Sequence, residues 1–197
     1  ITNLPLLTLI SNFNKNVIIS TGMATMQEIE EAIKIFRKNK KFKKKIIVLH
    51  CTSSYPTDYK NVNLNTMLTI KEAFKKYDIE IGFSDHTNSN ESAIAATALG
   101  ATLIEKHFTL DNNLSGPDHL SSLNPKDFGK FINSIRNTTL LLGSKNKIIT
   151  MSEKDNLLLV RKSIVASKKI IKGEKFSVNN ITLKRPALGL SPKSWNK

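Results

Sequence analysis

His86 and His107 are the residues of this sequence whose type and spacing are best suited to chemistry. Each lies at the end of an apolar run that is typical of a β-strand, within residues 81–87 and 102–109. A single helical pattern that ends at Gly100 separates the two runs, which predicts neighbouring parallel strands with both imidazoles at the same end. Imidazoles and carboxylates are ligands for divalent cations. The nearby carboxylates are Asp85, Glu105 and Asp118.

The same residues also have simpler interpretations, which the spacing leaves open. A histidine at the end of a strand is often a structural residue. Glu105 suits a position beside a metal ion, a general base or an ion-pair partner for Lys106. His50 and Cys51 are typical of barrel packing, and we expect no Cys–His nucleophilic pair, because no acyl-transfer motif surrounds them. His119 fits a supporting position behind the site.

The sequence contains the patterns of four successive strand–helix units. The predicted strands are Val17–Ser20, Ile46–His50, Ile79–Ser84 and Thr102–Glu105. Thr25 and Glu28 form a capping-box pattern at the start of the first helix. Asn124 before Pro125 predicts the start of the last helix, which ends at Gly143. The apolar stripe predicted for the third helix is Ile94, Ala95, Ala98 and Leu99.

Continuous apolar strands that alternate with helices predict an α/β fold with a parallel sheet covered by helices. A polar residue closes each predicted strand. These residues are Ser20, His50, Ser84 and Glu105. In (β/α)8 barrels the C-terminal strand ends carry the chemistry, so four such units predict the second half of a TIM barrel. A doubly wound sheet is the alternative, but no G-x-G-x-x-G motif follows the first strand.

The predicted domain boundary lies near residue 150. Residues 1–150 form the C-terminal half of the barrel domain, and residues 151–197 form a linker and a small β-rich second domain without a long helix. In the second region the apolar runs are short and separated by turns. We expect both domains to be incomplete, because the chain opens at Ile1 without a methionine, as a segment of a longer protein would.

The composition argues against several classes of protein. The formal net charge is +14 over 197 residues, and the densest lysine run is Lys38–Lys45. No recognition helix or aromatic–basic platform accompanies this charge, so we expect an anionic small substrate and no nucleic acid. No run is long and apolar enough for a membrane span, so we expect no membrane partner. Cys51 is the only cysteine, which excludes an internal disulfide and fits a reducing, cytoplasmic compartment.

Short motifs along nearly the whole chain provide a more specific indication. They are Ser-Thr-Gly-Met (20–23), His-Cys-Thr-Ser-Ser-Tyr-Pro-Thr (50–57), Gly-Phe-Ser-Asp-His-Thr (82–87), Glu-Lys-His-Phe-Thr (105–109), Gly-Pro-Asp-His (116–119), Lys-Ser-Ile-Val-Ala (162–166) and Thr-Leu-Lys-Arg-Pro (182–186). In this order and spacing the chain resembles the sialic acid synthase family, which comprises N-acetylneuraminate synthase and related nonulosonate synthases. The resemblance implies a (β/α)8 barrel followed by an antifreeze-like (SAF) domain, and a domain-swapped homodimer of the full-length protein.

The resemblance also implies roles for individual residues. It places His86 and His107 on a Mn²⁺ or Mg²⁺ ion, with Glu105 beside them as a candidate catalytic residue. It places three side chains around phosphoenolpyruvate, namely Ser20, Tyr55 and Ser84. Ser53 is a further candidate substrate contact, at a position where some members carry Asn.

The sugar contacts that the resemblance implies come from both domains. Asp118 is placed on the sugar, and Arg185 is the arginine that the small domain contributes to the sugar pocket. Local interpretations remain for three of the substrate contacts: Ser20 as a turn cap, Tyr55 as a loop anchor, and Lys184–Arg185 as ordinary surface charge. The lysines that neutralise the phosphate in the family are expected in the first half of the barrel, outside this sequence.

The expected function is an enzyme of the EC 2.5.1 type. It condenses phosphoenolpyruvate with N-acetylmannosamine in a metal-dependent reaction, which yields a nine-carbon keto sugar acid, N-acetylneuraminate, and phosphate. The alternative keeps the chemistry and changes the sugar to a diamino-hexose, as in legionaminic or pseudaminic acid synthases. A hypothesis from another class is a non-catalytic carbohydrate-binding module, which would bind sugar without regard to chelators.

Overall fold

The computed structural model describes residues 1–196 and divides them into two compact units, Ile1–Gly143 and the residues from Ser144 onward. The strands of the first unit are β1 (Val17–Ser20), β2 (Ile46–Cys51), β3 (Glu80–Asp85) and β4 (Ile104–Lys106). Its helices are α1 (Leu4–Ser11), α2 (Met26–Lys38), α3 (Tyr59–Val62), α4 (Asn65–Ala73), α5 (Glu91–Ala98) and α6 (Pro125–Leu142), with 3₁₀ turns at Lys75–Tyr77 and His119–Ser121. The second unit contains α7 (Met151–Val160), β5 (Ser163–Ala166), β6 (Ile181–Lys184) and a 3₁₀ turn at Pro192–Ser194.

The four strands of the first unit form one parallel sheet in the order β1-β2-β3-β4. This confirms the predicted half-barrel sheet. A doubly wound sheet reverses its strand order at a switch point, and the sequential order of β1–β4 has no such reversal. The predicted bounds hold for β1 and differ by one or two residues for the others. At β4 the ladder extends beyond the strand, because Thr102 N donates to Ile81 O at 2.8 Å.

One face of the sheet is closed by helices, because alternate strand residues are apolar and meet the apolar stripes of α2 and α4. The largest buried side chains of this core are Ile33, Phe36, Ile46, Val48, Met67, Ile70, Ile81 and Phe83. The opposite face, which we call the inner face, carries the side chains of Ser20, Cys51, Ser84 and Glu105. On this face Ile18 remains 50% exposed.

Gly82 lies on the inner face where two strands approach closely. A Cβ atom at this position would lie 2.4 Å from Leu49 Cδ2 and 2.6 Å from the backbone oxygen of Leu103. The carbonyl belongs to the chain entering β4 and cannot move without disturbing the sheet. Only glycine therefore fits this position.

The predicted helix ends are confirmed. Thr25 Oγ1 accepts from Glu28 N at 3.3 Å and Thr25 N donates to Glu28 Oε2 at 2.7 Å, which is the reciprocal capping box. At the start of α6, Asn124 Oδ1 accepts from Asp127 N at 3.0 Å, with Pro125 as the first helical residue. The helix ends before Gly143, whose φ of +50° suits glycine.

The stripe predicted for α5 is wrong, since Ala98 is exposed and Ile94 and Ala95 are only partly buried. The buried residues are Ser92, Ala93, Ala96 and Thr97. Ser92 Oγ donates to the buried carboxylate of Asp85 at 2.9 Å, which directs this side of α5 towards the sheet. Small residues on the same side let the helix pack closely.

The second unit contains an α-helix of ten residues, α7, in a region where we expected no long helix. The ten-residue helix α7 starts with a capping box formed by Thr150 and Glu153. Its Leu158 and Leu159 are both exposed, so the run has no amphipathic period that would mark it as a helix. The expected short strands at its C-terminal side are present as the antiparallel pair β5–β6, whereas residues 169–176 form turns around Gly173 and no strand. No helix between residues 1 and 196 has the length and apolar character that a membrane crossing requires.

The sheet edges lead to a prediction about residues 1–197 expressed alone. In the described chain β1 pairs only with β2, and β4 only with β3, so two strand edges and the inner face lack partners. We expect this segment to self-associate in size-exclusion chromatography with light scattering, increasingly so at higher concentration. A monodisperse monomer with one cooperative unfolding transition would contradict the half-barrel interpretation.

Candidate active site

Because successive side chains of a strand point to opposite faces of the sheet, the polar residues at the ends of β3 and β4 lie on two different faces. Ser84 and His86 have the same parity, as do Glu105 and His107, and the register places Ser84 opposite Glu105. These four side chains therefore project from the inner face or its carboxyl edge. Asp85 and Lys106, which are also opposite each other, project to the helix-covered side.

The ring of His86 is fixed by a backbone carbonyl. Its Nδ1 lies 2.8 Å from Thr52 O in the loop after β2. A carbonyl oxygen only accepts hydrogen bonds, so Nδ1 is the donor and carries a hydrogen. In the neutral ring Nε2 is then unprotonated and presents its lone pair. Thr52 has no predicted role, because a contact through a backbone oxygen has no side-chain signal in the sequence.

Ser84 connects His86 to Glu105. Its Oγ donates to Glu105 Oε1 at 2.6 Å and lies 3.3 Å from His86 Nε2. A hydroxyl has one hydrogen, which Glu105 receives, so Ser84 can act only as an acceptor towards His86. Nε2 therefore either holds a proton of its own or has a lone pair available to a cation.

Three rings converge at the mouth of the sheet. The ring centroids of His86 and His107 are 5.2 Å apart in an edge-to-face arrangement. Tyr55 lies over both, with its centroid 4.4 Å from that of His86 and 5.4 Å from that of His107. The long loop after β2 thus brings Tyr55 to the histidines.

Asp118 also comes close to the histidines. Its Oδ2 is 4.0 Å from His107 Nδ1, and the carboxylate is largely exposed, so it is accessible to a ligand. His119 forms part of the same loop, where its Nδ1 lies 2.8 Å from Thr109 Oγ1. A supporting role of His119 in the site stays a prediction.

Asp85 is not available as a metal ligand, which corrects one expectation. Its carboxylate is fully buried and pairs with Lys106 Nζ at 2.9 Å on the helix side of the sheet. The ion-pair role considered for Glu105 is wrong for the same reason, since Lys106 is paired with Asp85. The alternation of side chains along Ser84–His86 and Glu105–His107 is the sequence signal that separates these residues.

Ser20 and Ser53 lie at the neighbouring strand ends. Ser20 is exposed at the carboxyl end of β1. Ser53 packs against the turn after β1. Its Oγ is so close to Gly22 that a Cβ atom on Gly22 would lie only 2.1 Å from it. Arg185 belongs to the second unit, where it is exposed directly after β6.

His50 and Cys51 do not form a nucleophilic pair. His50 Nε2 donates to Val62 O at 2.7 Å on the helix side, and its ring stacks on Phe83. Cys51 has the opposite parity and faces the inner side. Burial raises the pKa of the Cys51 thiol, so it stays protonated at neutral pH.

The histidine pair fits a divalent cation only as a partial ligand set. Among residues 1–196 no group of three or more His, Cys, Asp and Glu side chains is arranged to hold a metal ion. Two imidazoles at this separation suit an ion that completes its coordination with water or substrate oxygens, with the Nε2 of a neutral His86 as one ligand atom.

Tyr55 provides a test of the ring cluster. Tyr55→Ala removes two aromatic contacts, for which we expect a loss of about 0.5–1.5 kcal/mol in the unfolding free energy of the full-length protein. Tyr55→Phe is the matched control and should remain within about 0.5 kcal/mol, because the ring contacts do not involve the hydroxyl. Urea denaturation measures both, and equal losses in the two variants would contradict the ring contacts.

Comparison with known proteins places this geometry in a family. The NeuB family matches residues 1–147. The N,N'-diacetyllegionaminic acid synthase of Campylobacter jejuni is 49% identical over 191 residues, which are 97% of this chain and 56% of that protein. The pseudaminic acid synthase of the same species is 36% identical, with 96% of this chain and 53% of that protein covered.

A solved structure agrees with the sequence relatives. The sialic acid synthetase of Leptospira borgpetersenii, crystallised with citrate, superposes with a TM-score of 0.69 at 37% identity, covering 78% of this chain and 52% of the other. This chain spans about half the length of the relatives that it matches. On the match over residues 1–147 and the identity to these synthases, the chain belongs to the NeuB family.

Proposed function

We propose that the full-length protein is a nonulosonate synthase that joins phosphoenolpyruvate to an N-acetylated diamino-hexose, giving a legionaminic-type acid and phosphate. The observation that carries the proposal is the convergence of His86, His107 and the Ser84–Glu105 pair at the carboxyl ends of β3 and β4. Polar groups at this end of a barrel sheet are where its chemistry takes place.

The choice of sugar departs from the preference that we drew from the sequence alone. The legionaminic acid synthase is 49% identical to this chain, compared with 37% for the sialic acid synthetase and 36% for the pseudaminic acid synthase. These values favour a diacetylated diamino-hexose over N-acetylmannosamine. N-acetylmannosamine, with N-acetylneuraminate as the product, is the second candidate.

The reaction needs a new bond from C3 of phosphoenolpyruvate to the aldehyde carbon of the open-chain sugar. As this bond forms, the C=O π bond of the aldehyde opens and its oxygen takes a proton. Water then adds at C2 and loses a proton, and breakage of the bond between C2 and the phosphate oxygen releases phosphate and leaves the keto group. A Mn²⁺ or Mg²⁺ ion on His86 and His107 would supply Lewis-acid polarisation of the aldehyde oxygen. Glu105, whose carboxylate already accepts the Ser84 hydrogen, is placed to take the proton of the attacking water.

The remaining side chains of the proposed site bind and orient the substrates. Hydroxyls can donate to carboxylate or phosphate oxygens without adding charge, which suits Ser20, Ser53 and Tyr55 for phosphoenolpyruvate. Asp118, next to His107 and exposed, can accept from sugar hydroxyls. The fixation of His86 by Thr52 O keeps its Nε2 directed to one place while the substrates exchange.

The second unit completes the proposal. We assign it to the SAF domain, with Arg185 donating its fork of N–H groups to the sugar. A homodimer in which this domain serves the partner's barrel would restrict water at the site and limit premature loss of phosphate. We expect the enzyme in the cytoplasm, where phosphoenolpyruvate is available.

Phosphate release by the full-length protein tests the function. We expect release with phosphoenolpyruvate and a diacetylated diamino-hexose, at a kcat/KM at least about tenfold above that for N-acetylmannosamine, a difference of about 1.4 kcal/mol. EDTA should abolish the activity, and Mn²⁺ should restore it. His86→Ala and His107→Ala should each remove most of it while the circular dichroism spectrum is unchanged.

Three outcomes would count against parts of this proposal. A preference for N-acetylmannosamine would return the assignment to sialic acid synthesis. Full activity in EDTA would remove the metal from the site. Sugar binding that is unaffected by EDTA, with no phosphate release for any aldehyde, would favour a carbohydrate-binding module.

Subunit mixing tests the role of Arg185. Arg185→Ala should raise the KM for the sugar more than that for phosphoenolpyruvate. If the small domain acts across the dimer, mixing the inactive Arg185→Ala and His107→Ala proteins under exchange conditions should restore part of the activity, because one mixed site has both residues intact. Absence of recovery despite verified exchange would mean that Arg185 acts within its own chain or not at all.

A further inference from the structure

We propose that the buried ion pair of Asp85 and Lys106 is a positioning device that sets the placement of His86 relative to His107. The inference rests on the proposed function, since it assigns these residues a role towards the cation that the two histidines would hold. Neither residue contacts the proposed substrates, because both side chains project to the helix side of the sheet.

The pair joins the two chain segments that carry the histidines. Asp85 immediately precedes His86 and Lys106 immediately precedes His107, and the parallel register places the two directly opposite each other. Lys106 Nζ lies 2.9 Å from Asp85 Oδ2. A change in the length or direction of this link therefore moves the backbone of both strand ends at the point where the imidazoles project.

The link also fixes the residue on the far side of His86. Asp85 Oδ1 accepts from Thr87 N at 2.9 Å, and Lys106 Nζ donates to Thr87 O. Both backbone polar groups of Thr87 are thus bound to the pair. The backbone of His86 is held between them, and its own carbonyl accepts from Thr57 N at 2.8 Å.

The surroundings of the pair are closed to water. The side chains of Asp85 and Lys106 are 0% and 2% exposed. Asp85 Oδ2 also accepts from Ser92 Oγ at 2.9 Å, and Lys106 Nζ lies 5.9 Å from the ring centroid of Phe131. Helices α5 and α6 thereby hold the pair from behind.

Energetics indicate that stability is not the main contribution of this pair. Removal of two charges from water costs several kcal/mol per ion, and replacement of a buried pair by well-packed hydrophobic residues of similar volume is often neutral or stabilising. Two neutral residues would not form the ion pair that connects the end of β3 to the end of β4. The contribution that remains is geometric, and groups that orient metal ligands typically affect metal affinity by about 10–100-fold.

The test is Mn²⁺ binding by the full-length protein, measured by titration calorimetry. In Asp85→Asn/Lys106→Met the amide oxygen can still accept from Thr87 N, and the amide nitrogen can donate to Ser92 Oγ, while the link between the strands and the bond from Lys106 to Thr87 O are lost. We expect an unfolding midpoint close to that of the wild type and a Mn²⁺ affinity about 10–100-fold lower. Excess Mn²⁺ should restore part of kcat, which a merely structural defect would not allow.

A second ion pair provides the matched control. Lys45, which directly precedes β2, pairs with Glu80, the first residue of β3, at the opposite end of the sheet and near the surface. Lys45→Met/Glu80→Leu should leave the Mn²⁺ affinity within about twofold of the wild type, because exposed pairs contribute little.

The outcomes separate this inference from the proposed function. Wild-type Mn²⁺ affinity in the Asp85→Asn/Lys106→Met protein would overturn the positioning role while leaving the metal site in place. Lack of Mn²⁺ binding by the wild type would overturn the metal site and the positioning role together. If the double variant does not fold, Lys106→Arg keeps the charge and alters the length of the link. An unchanged Mn²⁺ affinity in that variant would overturn the role, and a reduced affinity in a folded protein would support it.

Discussion

Ser84 stands opposite Glu105, and Asp85 stands opposite Lys106, because β3 and β4 pair in parallel with one particular register. The rest of the site depends on this alignment. A shift of one residue would exchange the faces, so that charged groups would enter the inner site and the hydroxyl–carboxylate pair would enter the apolar core. The same register brings the two histidines to one edge, where the loops after β2 and β4 supply Tyr55 and Asp118.

The two sides of these strand ends have different physical surroundings. On the helix side, charges are buried and fully paired, and a close-packed protein interior of this kind is rigid. On the inner side, polar groups are close together but incompletely satisfied: the single hydrogen of the Ser84 hydroxyl is donated to Glu105, so His86 Nε2, 3.3 Å from the same oxygen, receives none from it. A binding site for small polar ligands requires this combination of a rigid helix side and an inner side whose polar groups can still form hydrogen bonds.

Much of this arrangement could be predicted from the sequence, for identifiable reasons. Apolar strands closed by polar residues predicted the parallel half-barrel, and the caps at Thr25 and Asn124 marked helix ends because both depend on local contacts. The contact of the Thr52 backbone oxygen with His86 and the pairing of Lys106 with Asp85 could not be predicted in this way. The first involves no side chain of Thr52, and the second depends on the register between two strands. Helix α7 was not predicted from the sequence, because its apolar residues follow no helical period and remain exposed. The stripe of α5 was displaced by a single polar contact, Ser92 to Asp85, which outweighed the pattern of hydrophobic residues.

Gly82 has a consequence for how relatives of this protein can be compared. The space beside it is filled by Leu49 and by the backbone oxygen of Leu103. Packing alone therefore requires glycine at this position, so a glycine found here in a relative would carry no information about the substrate of that relative. Differences in sugar specificity among such relatives are expected in the loops that follow the strands, because loops vary more freely than the strands. The substrate can then change while the sheet keeps its structure.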